Sequence, residues 1–137
     1  ANMAVMFITH NLGVIAEIAD EIVVMYMGKE VERTTTIELF EHPKHPYTTA
    51  LLASIPQIGE KKAQLATIEG MVPSPFDLPP GCVFHPRCTR YMPGTCDRLY
   101  PEYAEIEDGH WARCLIYDDC WPKTAEAQAI QAQAASD

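Results

Sequence analysis

The apolar and polar positions of the first twenty residues predict a strand followed by a helix. Residues 4–8 form a continuous apolar run, which is typical of a strand buried on both faces. Asn11 is a good helix N-cap, and apolar residues then recur at helical spacing over residues 12–19. We therefore expect a buried strand, a short polar junction and a short helix, in this order.

The next residues predict a hairpin. Residues 22–27 are again continuously apolar, as in a buried strand. Residues 30–34 alternate between polar and apolar types, as an edge strand does. Gly28 and Lys29 lie between the two segments, where we expect a tight turn.

Short helices and prolines follow the hairpin. Thr35 and Glu38 have the spacing of a capping box, which predicts a short helix. Residues 42–46 contain two prolines and predict a rigid connector. Pro46 suits the first turn of a further helix over residues 46–54.

Proline and cysteine usage divides the remaining chain. All 11 prolines lie at or after Pro43, and all five cysteines lie within residues 82–120. We expect a proline-rich linker before the cysteines, and a frayed helix or disorder in the Ala/Gln-rich tail after them. The predicted segments are residues 1–41, 42–81, 82–120 and 121–137.

Composition narrows the classes of function. The chain has 137 residues and a formal net charge of −9, and this acidity argues against a nucleic-acid partner. No apolar run approaches the roughly 20 residues that span a bilayer, and no signal peptide is recognisable. We therefore expect the cysteines to lie in a reducing compartment.

His10 is a candidate ligand-binding residue because it follows the first predicted strand. In parallel α/β sheets, ligands bind beyond the carboxyl ends of the strands. A neutral imidazole at that point can donate a hydrogen bond to a phosphate oxygen. A structural role is the alternative, and a serine hydrolase is unsupported because the chain has no G-x-S-x-G motif.

The cysteines form a second candidate site. Cys82, Cys88, Cys96 and Cys114 are spaced C-x5-C-x7-C-x17-C, and Cys120 follows after five more residues. The spacing has no C-x-x-C pair and matches neither common ferredoxin pattern. Spacing alone leaves a metal or cluster site, disulfides and free thiols open. A metal centre would supply folding free energy to a region that prolines and glycines interrupt.

Four segments carry a resemblance to a known family. Residues 7–16 (FITHNLGVIA) resemble the switch-histidine region of ABC ATPases, and residues 20–32 (DEIVVMYMGKEVE) resemble the next strand and hairpin. Residues 42–48 (HPKHPYT) and 79–88 (PPGCVFHPRC) resemble the C-terminal extension of peptide or nickel importers. The implied fold class is α+β: the C-terminal part of an ABC ATPase α/β domain, followed by an irregular cysteine- and proline-rich extension.

The resemblance implies a role for His10 in ATP hydrolysis. His10 would contact the γ-phosphate, where a positioned donor stabilises the charge of phosphoryl transfer. ATP and Mg²⁺ would be cofactors of the parent protein, which would import oligopeptides, dipeptides or nickel. Its partners would be a second ATP-binding subunit and transmembrane permease subunits, and it would lie at the cytoplasmic face of the inner membrane.

The phosphate loop of such ATPases is not in this sequence. The chain has no G-x-x-x-x-G-K-[ST] motif, and we find neither the signature loop nor the catalytic glutamate of the family. We therefore expect this chain alone to be inactive as an ATPase. Apolar strands without sheet partners favour association, so we also expect a homo-oligomer.

The resemblance also implies an iron–sulfur centre, because some peptide-importer ATPases carry a 4Fe–4S cluster in this extension. Its ligands would be Cys82, Cys88, Cys96 and Cys114, with zinc as the alternative metal and His85 and His110 as alternative ligands. Arg87 and Arg113 each precede a proposed ligand and are expected to offset the charge of the cluster.

Two other functions stay open at this point. One is a free-standing cysteine-rich metal module that acts as a redox or interaction protein. The other is a disulfide-stapled secreted domain. Iron with equal sulfide would favour the cluster, whereas stoichiometric zinc would favour the first alternative.

Overall fold

The computed structural model describes residues 2–55 and 68–120 of the chain. These residues form helices and one four-stranded antiparallel sheet in the order β1-β2-β4-β3. The helices are α1 (Leu12–Ile18), α2 (Thr36–Glu41) and α3 (Pro46–Ala53), and the strands are β1 (Glu21–Tyr26), β2 (Lys29–Thr35), β3 (Ala104–Glu107) and β4 (His110–Ala112). This is a small mixed helix–sheet fold, in agreement with the α+β class.

The prediction of a buried strand at residues 4–8 was wrong. Residues 2–9 have no regular secondary structure, and the side chains of Met6 and Ile8 are 85% and 91% exposed. A strand needs hydrogen-bonding partners on a neighbouring strand, and none of the described strands pairs with this segment. The helix after it was predicted correctly, because the Asn11 side chain accepts a hydrogen bond from the Val14 amide at 3.2 Å.

The β1–β2 hairpin is confirmed, with two differences from the prediction. Its turn lies at Met27 and Gly28, whose φ angles are 49° and 76°, one residue earlier than expected. This pair of positive φ angles matches a type I′ turn, which suits the twist of the two strands. Val23 and Met25 are exposed, so β1 is buried on one face only.

β2 lies inside the sheet and is not the edge strand that the alternation predicted. β4 pairs with its other side, with Glu32 opposite Ala112 and Arg33 opposite Trp111. β1 is therefore one of the two edge strands, and its outer face carries exposed apolar side chains. None of the described strands pairs with the outer edge of β1, and this supports the expectation of a homo-oligomer, which stays a prediction.

The two short helices after the hairpin begin where the sequence predicts. The Thr35 hydroxyl accepts a hydrogen bond from the Glu38 amide at 3.4 Å, so the expected cap of α2 is confirmed. α3 starts at Pro46 and ends at Ala53, as the proline at the first helical position indicates.

One hydrophobic core joins the hairpin to the cysteine-bearing segment. Its buried members are Ile22, Val24, Tyr26, Val31, Leu39 and Phe84. The ring of Phe84 lies 5.2 Å from that of Tyr26 and 5.3 Å from that of Tyr47, in tilted or edge-on contacts. The segment that carries the cysteines is thus held by aromatic packing as well as by the sheet.

Some predicted segments extend beyond the residues that the structure describes. Part of the predicted segment 42–81, which contains the proline-rich linker, and the tail predicted at 121–137 lie there. Among the described residues, no helix combines the length and the apolar character that crossing a membrane requires.

Candidate functional site

His10 lies in an exposed position directly before the helix cap. It follows the extended residues 2–9 and precedes Asn11, whose own amide donates to the Thr9 hydroxyl at 3.1 Å. The helical half of the predicted strand-to-helix junction is therefore present, and the strand half is not. The proposed contact between His10 and a phosphate stays a prediction.

Four cysteines line one cleft. Cys82, Cys88, Cys96 and Cys114 share it with side chains of the connector and of the 82–116 segment, namely His45, Pro46, Phe84, His85, Arg90, Leu115 and Ile116. Cys96 and Cys114 are buried, whereas Cys82 and Cys88 are half-buried, and all four are free thiols. The four cysteines are far apart in the sequence but lie around one cleft. Their role as ligands stays a prediction.

Gly81 lets two of the cysteine-bearing turns approach each other. The Cys82 amide donates to the Cys96 carbonyl at 2.8 Å. Gly81 has a φ of 74°, and a Cβ at this position would overlap the carbonyl oxygen of Cys96 and come within 2.8 Å of the Arg98 nitrogen. Only glycine fits this close approach of two backbones.

Backbone amides point at the cysteine sulfurs. The Arg90 amide donates to Cys88 Sγ at 3.3 Å, and the Met92 amide donates to Cys96 Sγ at 3.5 Å. Amides of residues 84 and 85 favour the thiolate of Cys82, and the amide of residue 116 favours that of Cys114. Each thiol therefore has a donor that would stabilise a negatively charged sulfur.

Burial opposes ionisation of the same thiols. It raises the pKa of Cys82 to about 11 and that of Cys114 to about 12, and it also raises the pKa values of Cys88 and Cys96. Negative charge on neighbouring thiolates adds to these increases. Such cysteines are poor nucleophiles at neutral pH, and a cation would be needed to hold them as thiolates.

The described residues contain no compact group of metal ligands. In residues 2–55 and 68–120, no three His, Cys, Asp or Glu side chains form a group that could hold a metal ion. The binding of a metal or cluster by the four cysteines therefore stays a prediction.

The two histidines considered as alternative ligands have other contacts. His85 Nδ1 lies 2.8 Å from the Cys82 carbonyl, and its ring stacks on Tyr91 with the centroids 5.4 Å apart. His110 Nε2 donates to Glu32 at 2.6 Å, and His110 does not line the cleft.

Arg87 and Arg113 contact backbone carbonyls, and the expectation that they offset the charge of a cluster stays a prediction. Arg87 donates to the carbonyls of Ile68 and Glu69, and Arg113 donates to those of Glu30 and Pro101. Both guanidinium groups satisfy backbone acceptors in loops, which a planar group with five donors does well. The arginine on the cleft is Arg90.

A buried carboxylate beside the cleft was missed by the sequence analysis. Glu32 is fully buried, and its oxygens accept hydrogen bonds from the Lys44 amide at 2.8 Å, the His45 amide at 2.9 Å and His110 Nε2 at 2.6 Å. A β-bulge at Val31, opposite Val24 and Met25, buries the consecutive residues Val31 and Glu32. Simple alternation along the strand does not reveal such a bulge.

His45 of the connector is a helix cap. Its Nδ1 accepts a hydrogen bond from the Tyr47 amide at 3.0 Å, which starts α3. The ring is 2% exposed, and burial lowers its pKa to about 4, while the nearby carboxylate of Glu32 acts in the opposite direction. A neutral ring is required here, because a protonated Nδ1 has no lone pair for the amide.

Known transporter proteins share this region. Residues 31–96 match a family model described as "Oligopeptide/dipeptide transporter, C-terminal region". A putative peptide import ATP-binding protein of Brucella ovis is 42% identical over 125 residues, covering 87% of this chain and 37% of the relative. The oligopeptide transport ATP-binding protein AppD of Bacillus subtilis is 44% identical over 118 residues, covering 86% of this chain and 36% of the relative.

A third relative gives the same result. The dipeptide transport ATP-binding protein DppD of Bacillus subtilis is 43% identical over 117 residues, covering 85% of this chain and 35% of the relative. The chain spans little more than a third of the length of these curated relatives. Its class is thus that of transporter ATP-binding proteins. It belongs to the oligopeptide/dipeptide ABC transporter family, and it corresponds to the C-terminal region of the ATP-binding protein.

We predict that Gly81→Ala destabilises the protein far more than Gly109→Ala. Both glycines have φ near 70°, but a Cβ at Gly109 meets nothing within 4 Å. The control should lose about 1 kcal/mol from backbone strain, and Gly81→Ala should lose roughly 2–3 kcal/mol more from the overlap. Urea unfolding measures both values, and equal losses would contradict the required close approach.

We predict that His45→Asn makes stability less dependent on pH. Below pH ~6.5 the unfolded chain takes up a proton at this histidine that the folded chain refuses until about pH 4. The wild type should therefore lose on the order of 3 kcal/mol between these limits through this group. Asparagine retains the cap without titrating.

Urea unfolding at several pH values across this window measures the difference. His42→Asn is the control, because His42 is exposed and its side chain pairs with Glu38 on the surface. The control should keep the wild-type dependence on pH. An unchanged dependence in His45→Asn would show that the buried ring does not contribute to it.

Proposed function

We propose that the chain is part of the ATP-hydrolysing subunit that energises import of oligopeptides or dipeptides. Identity of 42–44% to peptide import and transport ATP-binding proteins, over more than four fifths of the chain, carries this proposal. The parent would work with a second ATP-binding subunit and with permease subunits at the cytoplasmic face of the inner membrane. Nickel in place of a peptide is the alternative cargo.

His10 is the residue that we propose to contact the γ-phosphate of ATP, with Mg²⁺ as the second cofactor of the parent. Its exposed position next to a capped helix supports this role, because the imidazole is free to meet a nucleotide. The sequence contains no phosphate-binding loop. We therefore propose that this chain binds and hydrolyses ATP only as part of the longer protein.

We further propose that Cys82, Cys88, Cys96 and Cys114 hold a 4Fe–4S cluster. Their convergence on one cleft supports the proposal, and so do the amide donors aimed at the sulfurs. The buried thiols would be held as thiolates by the metal charge, and the bound group would add folding free energy. Zinc, which thiolates bind in a tetrahedral arrangement, is the alternative metal.

A free-standing cysteine-rich metal module is the second candidate. Its best support is the cleft itself, which needs no nucleotide to form. The sheet argues against an independent module, because β4 pairs with β2 and Phe84 packs in the core of the hairpin.

The transporter proposal predicts the effect of His10→Ala in the full-length protein. ATP hydrolysis should fall by about 100-fold, because a donor to the transferred phosphoryl group is lost, while ATP binding persists. His42→Ala is the matched control, since it removes an exposed histidine that pairs with Glu38 on the surface. Hydrolysis at the wild-type rate in His10→Ala would contradict the assignment.

The cluster proposal predicts about four iron and four sulfide per chain after anaerobic reconstitution, with broad absorbance near ~400 nm. Serine in place of Cys88 or Cys96 should lower the iron content, while Cys120→Ser, outside the proposed ligand set, should not. Iron and sulfide analysis measures this. Colourless protein with one tightly bound zinc per chain would support the second candidate instead.

A further inference from the structure

We propose that Glu32 is the positioning residue of the cysteine cleft. Its carboxylate joins two walls of the cleft that come from distant parts of the chain: the connector at Lys44 and His45, and β4, which leads to Cys114. The inference rests on the proposed role of the cysteine cleft, but it concerns the arrangement of the thiols without any bound metal.

The carboxylate of Glu32 is buried and depends on its hydrogen-bond donors. Glu32 is fully buried, and its oxygens accept three N–H donors, two from the connector and one from His110. A buried carboxylate is tolerated only when such donors replace water. The donors must therefore stay together, and with them the segments that carry them.

β4 connects His110 to Cys114. β4 pairs with β2 through Ala112, and the next amide, that of Arg113, donates to the Val31 carbonyl at 2.8 Å. The Arg113 side chain donates to the Glu30 carbonyl at 2.9 Å. Cys114 follows directly and enters the cleft with 8% of its surface exposed, so its position depends on how β4 lies against β2.

The connector forms the opposite wall of the cleft. His45 and Pro46 line the same cleft. The Lys44 carbonyl accepts a hydrogen bond from the Tyr117 hydroxyl at 2.7 Å. The ammonium group of Lys44 pairs with Glu107 at 3.0 Å. The connector is thereby tied to both sides of Cys114.

Cys96 is held differently, and this gives an internal reference. Its amide donates to the Met92 carbonyl at 2.9 Å, and its carbonyl accepts from the Cys82 amide at 2.8 Å. It packs with Leu99, Ala104 and Leu115. Its two backbone hydrogen bonds lie within residues 82–96 and do not involve Glu32 or β4, so a loss at Glu32 should reach Cys114 before Cys96.

Glu32→Gln tests the proposal because it keeps the size of the side chain but replaces one acceptor oxygen by a donor. Three N–H groups would then face a single oxygen, which accepts at most two of them, so at least one link to the connector or to β4 is lost. In metal-free, reduced protein, alkylation by iodoacetamide is followed for each cysteine by mass spectrometry. Cys114 should react about tenfold faster or more than in the wild type, and Cys96 less than about twofold faster.

The matched control is Glu21→Gln, which removes a carboxylate from the exposed face of the same sheet, where it pairs with Arg33. Both cysteines should then react at their wild-type rates. An equal increase at Cys96 and Cys114 in Glu32→Gln would mean general loosening and would overturn the proposal. Unchanged rates at both cysteines would overturn it too.

His110→Gln is the second variant, for the case that Glu32→Gln does not fold. It disturbs only the arm toward β4, so it should expose Cys114 selectively while the connector amides stay bonded to Glu32. In the double variant the effect on Cys114 should be no larger than in Glu32→Gln alone, because both changes break one link. Additive effects, or equal exposure of Cys96, would contradict the link. Failure of the cluster proposal would leave these thiol measurements unaffected.

Discussion

The burial of one carboxylate organises much of this structure. Glu32 lies on an interior strand and its side chain is shielded from solvent. The carboxylate is stable there because three N–H groups donate to its oxygens. Losing a partner of such a buried charge typically costs about 3–5 kcal/mol, far more than an exposed ion pair contributes. The carboxylate therefore fixes where the connector and β4 must lie, and the sheet and the cleft follow from that.

Burial and backbone hydrogen bonds have opposite effects on the ionisation of the cleft thiols. Desolvation raises the pKa values of the four thiols, while the amides beside them favour thiolates. Donors aimed at sulfurs that stay protonated contribute little to stability, because a neutral thiol is a weak acceptor. The arrangement is best suited to a state in which positive charge from a bound group has displaced the protons, which is the physical basis of the proposed cluster.

The sequence predicted what depends on neighbouring residues and missed what depends on distant ones. Asn11 and Thr35 cap the helices that follow them, and both caps are visible in a few adjacent letters. The strand expected at residues 4–8 failed because apolar character does not supply a pairing partner. Glu32 was missed because a bulge, which depends on the partner strand, decides on which face its side chain lies.

The convergence of the cysteines was predictable only through family resemblance, since their spacing matches no common metal-site pattern. The match to the family model illustrates the same division between local and distant information. It runs from residue 31 to residue 96 and so contains Glu32, the connector and three of the four cleft cysteines. It does not contain His110, which completes the bonding of Glu32, or Cys114, which completes the cleft. The matched region thus holds a buried acceptor and three thiols whose remaining partners come from β4 and the residues directly after it. A buried carboxylate that lacks one of its hydrogen-bond donors destabilises the folded state. We therefore expect β4 to fold together with the matched residues, because it supplies the missing donor.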